Sequence, residues 1–200
     1  MGIFYITVVI DRNFLSTSSY LPLNMILIRD DDILFNAIWR HQPFLEYKII
    51  VDVGIVTSRP FPARWIKKHL YMYNICNHSH SHKCEELINW NFKKQLEDLE
   101  RANKIIEKKI GVKPKYFIPP CGRYNDQLLE ACERLGLTLH PSYVMAEKDR
   151  SKYFSAHLTD IIGKKEGWYI CHTASRKPSH NRLKRNLKYL YENKLTRFWE

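Results

Sequence analysis

No stretch of the 200-residue sequence approaches the ~20 consecutive apolar residues a helix needs to cross a bilayer, so no membrane span is expected. No secretory leader is expected either. Residues 3–10 are apolar but few, have no basic residues ahead of them and run into Asp11-Arg12 without a small-residue cleavage site. There is no C-x-x-C pair, and the cysteines Cys76, Cys84, Cys121, Cys132 and Cys171 are odd in number, which predicts free thiols in a reducing compartment and a cytoplasmic location. No short repeat is detectable. Acidic residues are the scarcer charge, 21 against 32 Lys and Arg, for a formal net charge of +11.

What is present is globular. The chain is 44% hydrophobic and 13% aromatic, and its length suits one domain with a sizeable core, so disorder is not expected. The continuous apolar run Met25-Ile26-Leu27-Ile28 predicts a buried strand of a parallel sheet, with Asp30 to Asp32 at its C-terminal end. Met25 is itself a possible start, which would make residues 1–24 an extension or extra strand and 25–200 the domain. Further strands are expected over 47–56, 73–76, near 115–118, over 137–139 and over 168–171. Between them, helical spacing predicts helices over 33–40, 65–70, 85–110, 125–135 and 179–198; Gly111 and Gly136 stop two of them. Residues 140–167 read as loop with short elements. Strands alternating with helices point to an α/β barrel-like single domain.

Two stretches carry candidate chemistry. Asn77-His78-Ser79-His80-Ser81-His82 places His78 and His82 four apart, and on one turn or a tight loop entering a helix their imidazoles could grip one metal ion. A third ligand must come from elsewhere, and Arg29-Asp30-Asp31-Asp32 is where carboxylates crowd; adjacent carboxylates repel unless a cation or shared proton relieves them. The plainer alternatives are a solvated histidine loop and an Asp run that caps a helix. Cys76 and Cys84 flank the histidines, so a Cys/His zinc site is a further option, although an isolated Cys usually just packs. From Arg176 to Glu200 there are eight Lys/Arg against two Glu, or +6, leaving +5 for the rest. That tail is either the wet face of a helix or a surface for nucleic acid or another anionic polymer.

Taken in order, Asp-Asp after a strand, His-Ser-x-x-His, Pro-Pro-x-Gly and a late strand ending in His resemble the polysaccharide deacetylase family, the NodB-homology or carbohydrate esterase family 4 group. The resemblance covers about residues 25–198. It is nearest to a divergent branch that writes its first motif Arg-x-Asp-Asp and its third Phe-x-Pro-Pro, here Arg29-Asp30-Asp31-Asp32 and Phe117-Ile118-Pro119-Pro120. It implies a distorted, short (β/α) barrel. It also implies that Asp31 is the general base, that Asp32, His78 and His82 are metal ligands, and that His172 is the general acid. His80 falls on a variable position. Aligning the commoner Thr-Phe-Asp-Asp-Gly motif instead would move the base and ligand to Asp30 and Asp31. Pro120, Cys121, Gly122 and Arg123 would line the substrate, with a backbone N–H near Cys121 or Gly122 facing the oxyanion.

The implied activity is metal-dependent hydrolysis of an N-acetyl or related acyl group on a carbohydrate, with Zn or else Co, Ni, Mn or Fe as cofactor. One departure stands out: the family's third motif commonly begins with an Arg that pairs with the catalytic Asp, and this chain has Ile118 there. Arg29 or Arg123 is left to replace it. The rival readings are a basic nucleic-acid or polyanion-binding module with a structural metal, in which Lys184, Arg185 and Lys188 make the contacts, and a degenerate barrel that binds glycan without turning it over.

Overall fold

The computed structural model describes residues 25–155, 160–175 and 178–199; the expected extension over 1–24, with its strand-like start, lies outside them. Seven parallel strands are laid down in chain order: β1 (Ile26–Asp30), β2 (Val51–Ile55), β3 (Tyr73–Asn77), β4 (Tyr116–Phe117), β5 (Thr138–Leu139), β6 (Tyr153–Ser155) and β7 (Gly167–Cys171). Their order in the sheet is β5-β4-β3-β2-β1-β7-β6, so β5 and β6 form its edges. The sheet curls into a half-barrel with helices outside it, the short, distorted (β/α) barrel expected. Every residue of β1, β2 and β7 is buried. That is what near-continuous Ile, Val and aromatic runs dictate, because a parallel sheet covered by crossover helices has no wet face.

The helices are α1 (Gln42–Glu46), α2 (Ala63–Lys68), α3 (Cys84–Asn89), α4 (Phe92–Ile110), α5 (Asp126–Arg134), α6 (Pro141–Lys148) and α7 (His180–Glu192). A 3-10 helix over Phe35–His41 precedes α1. The single helix expected over 85–110 is two, because Trp90 and Asn91 adopt extended backbone and the Asn91 side chain accepts the Lys94 N–H to start α4. The apolar spacing runs unbroken across this joint because Ile88, Phe92 and Leu96 pack on one cluster with Leu99 and Phe117. The last helix also ends sooner than expected. Lys194 turns left-handed (φ 54°), and the tail returns beneath the barrel, with Leu195 O, Arg197 O and Trp199 N bonded to Ile26 N, Ile50 N and Lys48 O.

The cysteines depart from expectation. Cys84 and Cys121 form a disulfide, while Cys76, Cys132 and Cys171 are buried free thiols. The two partners are 37 residues apart in sequence, and only the approach of the α3 start to the Pro-Pro turn brings them together. Among the described residues, no helix is long and apolar enough to cross a membrane.

Candidate metal and catalytic centre

Parallel strands deliver their C-terminal ends to one rim, and the motif residues all follow such ends. The pairing Asp30↔Cys171 puts Asp31 beside His172, and Ile55↔Asn77 puts His78 over the end of β2. Asp32, Ser79, His82 and Cys121 all have positive φ, four of the six non-glycine residues that do so among those described. Left-handed backbone costs such residues on the order of 1 kcal/mol or more, and its clustering marks a site where packing overrides local preference.

The His78–His82 loop is not helical; it is held by side chains that grip its amides. Asn77 Oδ1 accepts Ser79 N–H at 2.8 Å, Ser79 Oγ accepts His82 N–H at 2.8 Å, and Asp98 accepts His80 N–H at 2.8 Å and Ser81 N–H at 3.1 Å. His78 donates from Nδ1 to Ile118 O at 2.6 Å, which leaves the Nε2 lone pair for a metal. Burial, then the neighbouring His78 and the Arg59 guanidinium, lower the pKa of His82 against the pull of Asp32, so its ring is held neutral.

Asp32 Oδ1 lies 3.2 Å from His82 Nε2 and 3.7 Å from His78 Nε2, and one donor atom from each of the three lies within 4.8 Å of the others. Two ligands ~2.1 Å from a tetrahedral zinc are ~3.4 Å apart, so this spacing fits one ion. Asp32 Oδ1 is buried and accepts no hydrogen bond among the described residues, as a ligand oxygen would be. Arg59 Nη1 is 3.6 Å from the same oxygen. Neither cysteine flanking the histidines belongs to this set: Cys84 is in the disulfide, and Cys76 turns its Sγ to Asn74 O.

Asp31 occupies a different environment. Arg29 meets both of its oxygens: Nη2 donates to Oδ2 at 2.9 Å, and Nε lies 2.9 Å from Oδ1 as an ion-pair contact, with both side chains buried. Burial by itself would raise the Asp31 pKa; Arg29, followed by His78 and His172, outweighs it and holds the carboxyl below its ordinary range. His172 Nε2 stands 3.6 Å from Asp31 Oδ2 and is one-third exposed. Asp30 faces away from this group, accepting from the Thr173 N–H and hydroxyl in the interior, with His41 Nε2 2.8 Å from its Oδ2. Thus Asp31 and Asp32, rather than Asp30 and Asp31, face His172 and the metal set.

Ile118 puts its side chain in the core and its carbonyl on His78, and of the two arginines expected as candidates it is Arg29 that pairs with Asp31. Arg123 instead pairs with Glu85 at the surface. In the Pro120-Cys121-Gly122-Arg123 turn, Gly122 N–H donates to Pro119 O at 3.0 Å and Arg123 N–H to Pro120 O at 3.2 Å. Tyr143 donates to Pro119 O at 3.3 Å and lies against Arg29, its ring centre 4.7 Å from the guanidinium carbon.

Residues 69–140 match the sequence model of a family described as polysaccharide deacetylase. No curated protein matches the chain by sequence. Among solved structures, the peptidoglycan deacetylase PdaC from Bacillus subtilis is 19% identical with a TM-score of 0.62, the match covering 86% of this chain and 85% of that one. A family 4 acetyl xylan esterase from Clostridium thermocellum, solved with a cobalt ion, is 17% identical with a TM-score of 0.66 over 84% of each chain. The CE4 family pseudoenzyme BA3943 from Bacillus anthracis is also similar; a mutant of it with restored activity is 15% identical with a TM-score of 0.60. The match to that mutant covers 87% of this chain, which spans 65% of its length.

Proposed function

We propose that this chain is a member of the polysaccharide deacetylase (NodB-homology) superfamily and a metal-dependent hydrolase that removes N-acetyl or related acyl groups from a carbohydrate. The observation carrying this reading is the convergence of Asp32, His78 and His82 on one point beside a second carboxylate, Asp31, held charged next to His172. Asp32, His78 and His82 would hold the ion, with Zn best suited and Co, Ni, Mn or Fe acceptable to two imidazoles and a carboxylate. Such an ion, when bound, supplies Lewis acidity toward a water and the acyl oxygen.

The chain's own residues do the rest. Asp31, kept ionised by Arg29, takes the proton of the attacking water. His172 then gives a proton to the leaving nitrogen. Because Gly122 and Arg123 spend their amides inside the turn, the Cys121 N–H is the donor we assign to the developing oxyanion. The BA3943 pseudoenzyme shows that this fold need not come with activity; here base, acid and ligand positions all hold reactive side chains. Against the polyanion-binding alternative, the cations of α7 are engaged with acids: Lys184 with Glu46, Arg185 with Asp160 and Lys188 with Glu192.

Metal analysis of the purified protein, with acetate release from N-acetylated oligosaccharides, tests the reading. About one divalent ion per chain is expected, lost in both His78→Ala and His82→Ala, with release abolished by a chelator. Unchanged metal content in either variant overturns it. Retention on a polyanion that weakens steeply with salt, without acetate release, would favour the binding module.

A further inference from the structure

Asp30 is wholly buried, yet it is neither the base nor a ligand in the reading above. Its carboxylate accepts the Thr173 N–H at 2.8 Å on Oδ1; on Oδ2 it accepts the Thr173 hydroxyl at 2.5 Å and lies 2.8 Å from His41 Nε2. His41 and Thr173 are also wholly buried. Behind them, Trp65 Nε1 donates to the Tyr73 hydroxyl at 3.1 Å, and that oxygen lies 3.1 Å from His41 Nδ1. His41 Nε2 is also 3.1 Å from the Thr173 hydroxyl, so donors and acceptors alternate along the line if Tyr73 donates to His41 Nδ1, His41 Nε2–H to the Thr173 hydroxyl and that hydroxyl to Asp30. A buried carboxylate so fully served holds its partners in one geometry, since losing any of them strands a charge.

What that geometry fixes is the neighbour on each side. Asp30 precedes Asp31 in the chain, and Thr173 follows His172. We infer that Asp30 is a positioning residue that ties the base strand to the acid strand, with Thr173 as the latch and His41 as its brace, and so sets the 3.6 Å between Asp31 and His172. This assignment rests on the deacetylase reading and deepens it. It predicts a loss confined to the step that needs His172, proton delivery to a poor leaving group.

The test compares an N-acetylated glucosamine oligomer with p-nitrophenyl acetate, whose nitrophenolate departs without a proton. In Thr173→Val and Asp30→Asn, kcat for the amide should fall about tenfold or more relative to that for the ester, a part of the ~10²–10⁴-fold that a general acid supplies. KM should move little, and Thr173→Ser should recover the amide rate. Equal losses on both substrates, or none, overturn the assignment. An independent readout is the His172 ring Cε1–H resonance, identified by its disappearance in His172→Gln. It should shift and broaden in Thr173→Val and stay in place in Thr173→Ser, whatever the substrate. An unmoved resonance in Thr173→Val refutes the latch, whereas a wild type inactive on both substrates with the resonance shift intact refutes the deacetylase reading alone.

Discussion

His78 Nδ1 lies 2.6 Å from the carbonyl oxygen of Ile118, so Ile118 orients through its backbone a histidine proposed as a metal ligand. The other side of the ring is fixed by absence of bulk. A Cβ on Gly54 would sit 3.3 Å from His78 Cβ and Cγ and 3.4 Å from Ile118 Cδ1, closer than ordinary packing. Gly54→Ala should therefore push the imidazole off its place and weaken metal binding by about tenfold, the lower end for changes to a ligand's support, while the fold persists. Competition with a chromogenic chelator checks this; an unchanged dissociation constant would show that the ring has room to give.

Arg29 is the buried counter-charge of Asp31, and it also donates to Ser142 and Tyr153. Arg29→Met leaves a buried carboxylate without its partner, which should cost about 3–5 kcal/mol of stability in urea unfolding. Arg29→Lys keeps the charge and loses the two-pronged grip, so it should retain more stability yet lose activity, with metal content unchanged. If Arg29→Lys keeps full acetate release, orientation by the fork is not needed.

The residues proposed as ligands and as the catalytic pair were legible as candidates in the sequence because each lies in a short motif at a strand end, and strand ends can be read from apolar runs. Their supports were not. Arg29 meets Ser142 across 113 residues and His140 meets Asp52 across 88, and neither Ser142 nor His140 sits in a periodic pattern that would announce a partner. Residues 140–167 looked featureless because α6 and β6 are short and β6 lies at the sheet edge. The disulfide was missed for a related reason: a count of cysteines says nothing about which two loops fold together.

That disulfide joins the residue two after His82 to the turn bearing the proposed oxyanion amide, and the Glu85–Arg123 ion pair runs alongside it. Closing a loop of 37 residues should stabilise the fold by about 4 kcal/mol on the chain-entropy account. Unfolded without reductant, the protein should show three titratable thiols, rising to five after reduction. Reduction, or Cys84→Ser with Cys121→Ser, should lower the urea midpoint and reduce kcat more than it reduces metal content. Five thiols before reduction would remove the premise.

Acid should destabilise the fold through a buried group remote from the metal ligands. His140 Nε2 lies 3.1 Å from Asp52 Oδ2, and Asp52 also accepts from Asn74 and Arg197. Ser142, Tyr116 and Trp168 surround the imidazole. Burial lowers the His140 pKa, and the Asp52 bond only partly offsets this, so the folded protein keeps the ring neutral where the unfolded chain, titrating near ~6.5, takes up a proton. For Asp52, burial pushes upward but His140, Arg197 and Asn74 prevail, and its folded pKa is also lowered. Both groups thus bind more protons when unfolded, and their shifts act in one direction. The His140 contribution is complete above about pH 6.5 and declines as the pH falls toward its lowered folded value. The Asp52 contribution follows at lower pH, below the ~3.9 of a free aspartate. Urea midpoints should drop between pH 7 and 5, with a slope from His140 of at most about 1.4 kcal/mol per pH unit. His140→Gln, which has no proton to gain, should lower stability at pH 7 and flatten that slope; an equally steep decline in the variant would place the acid sensitivity elsewhere.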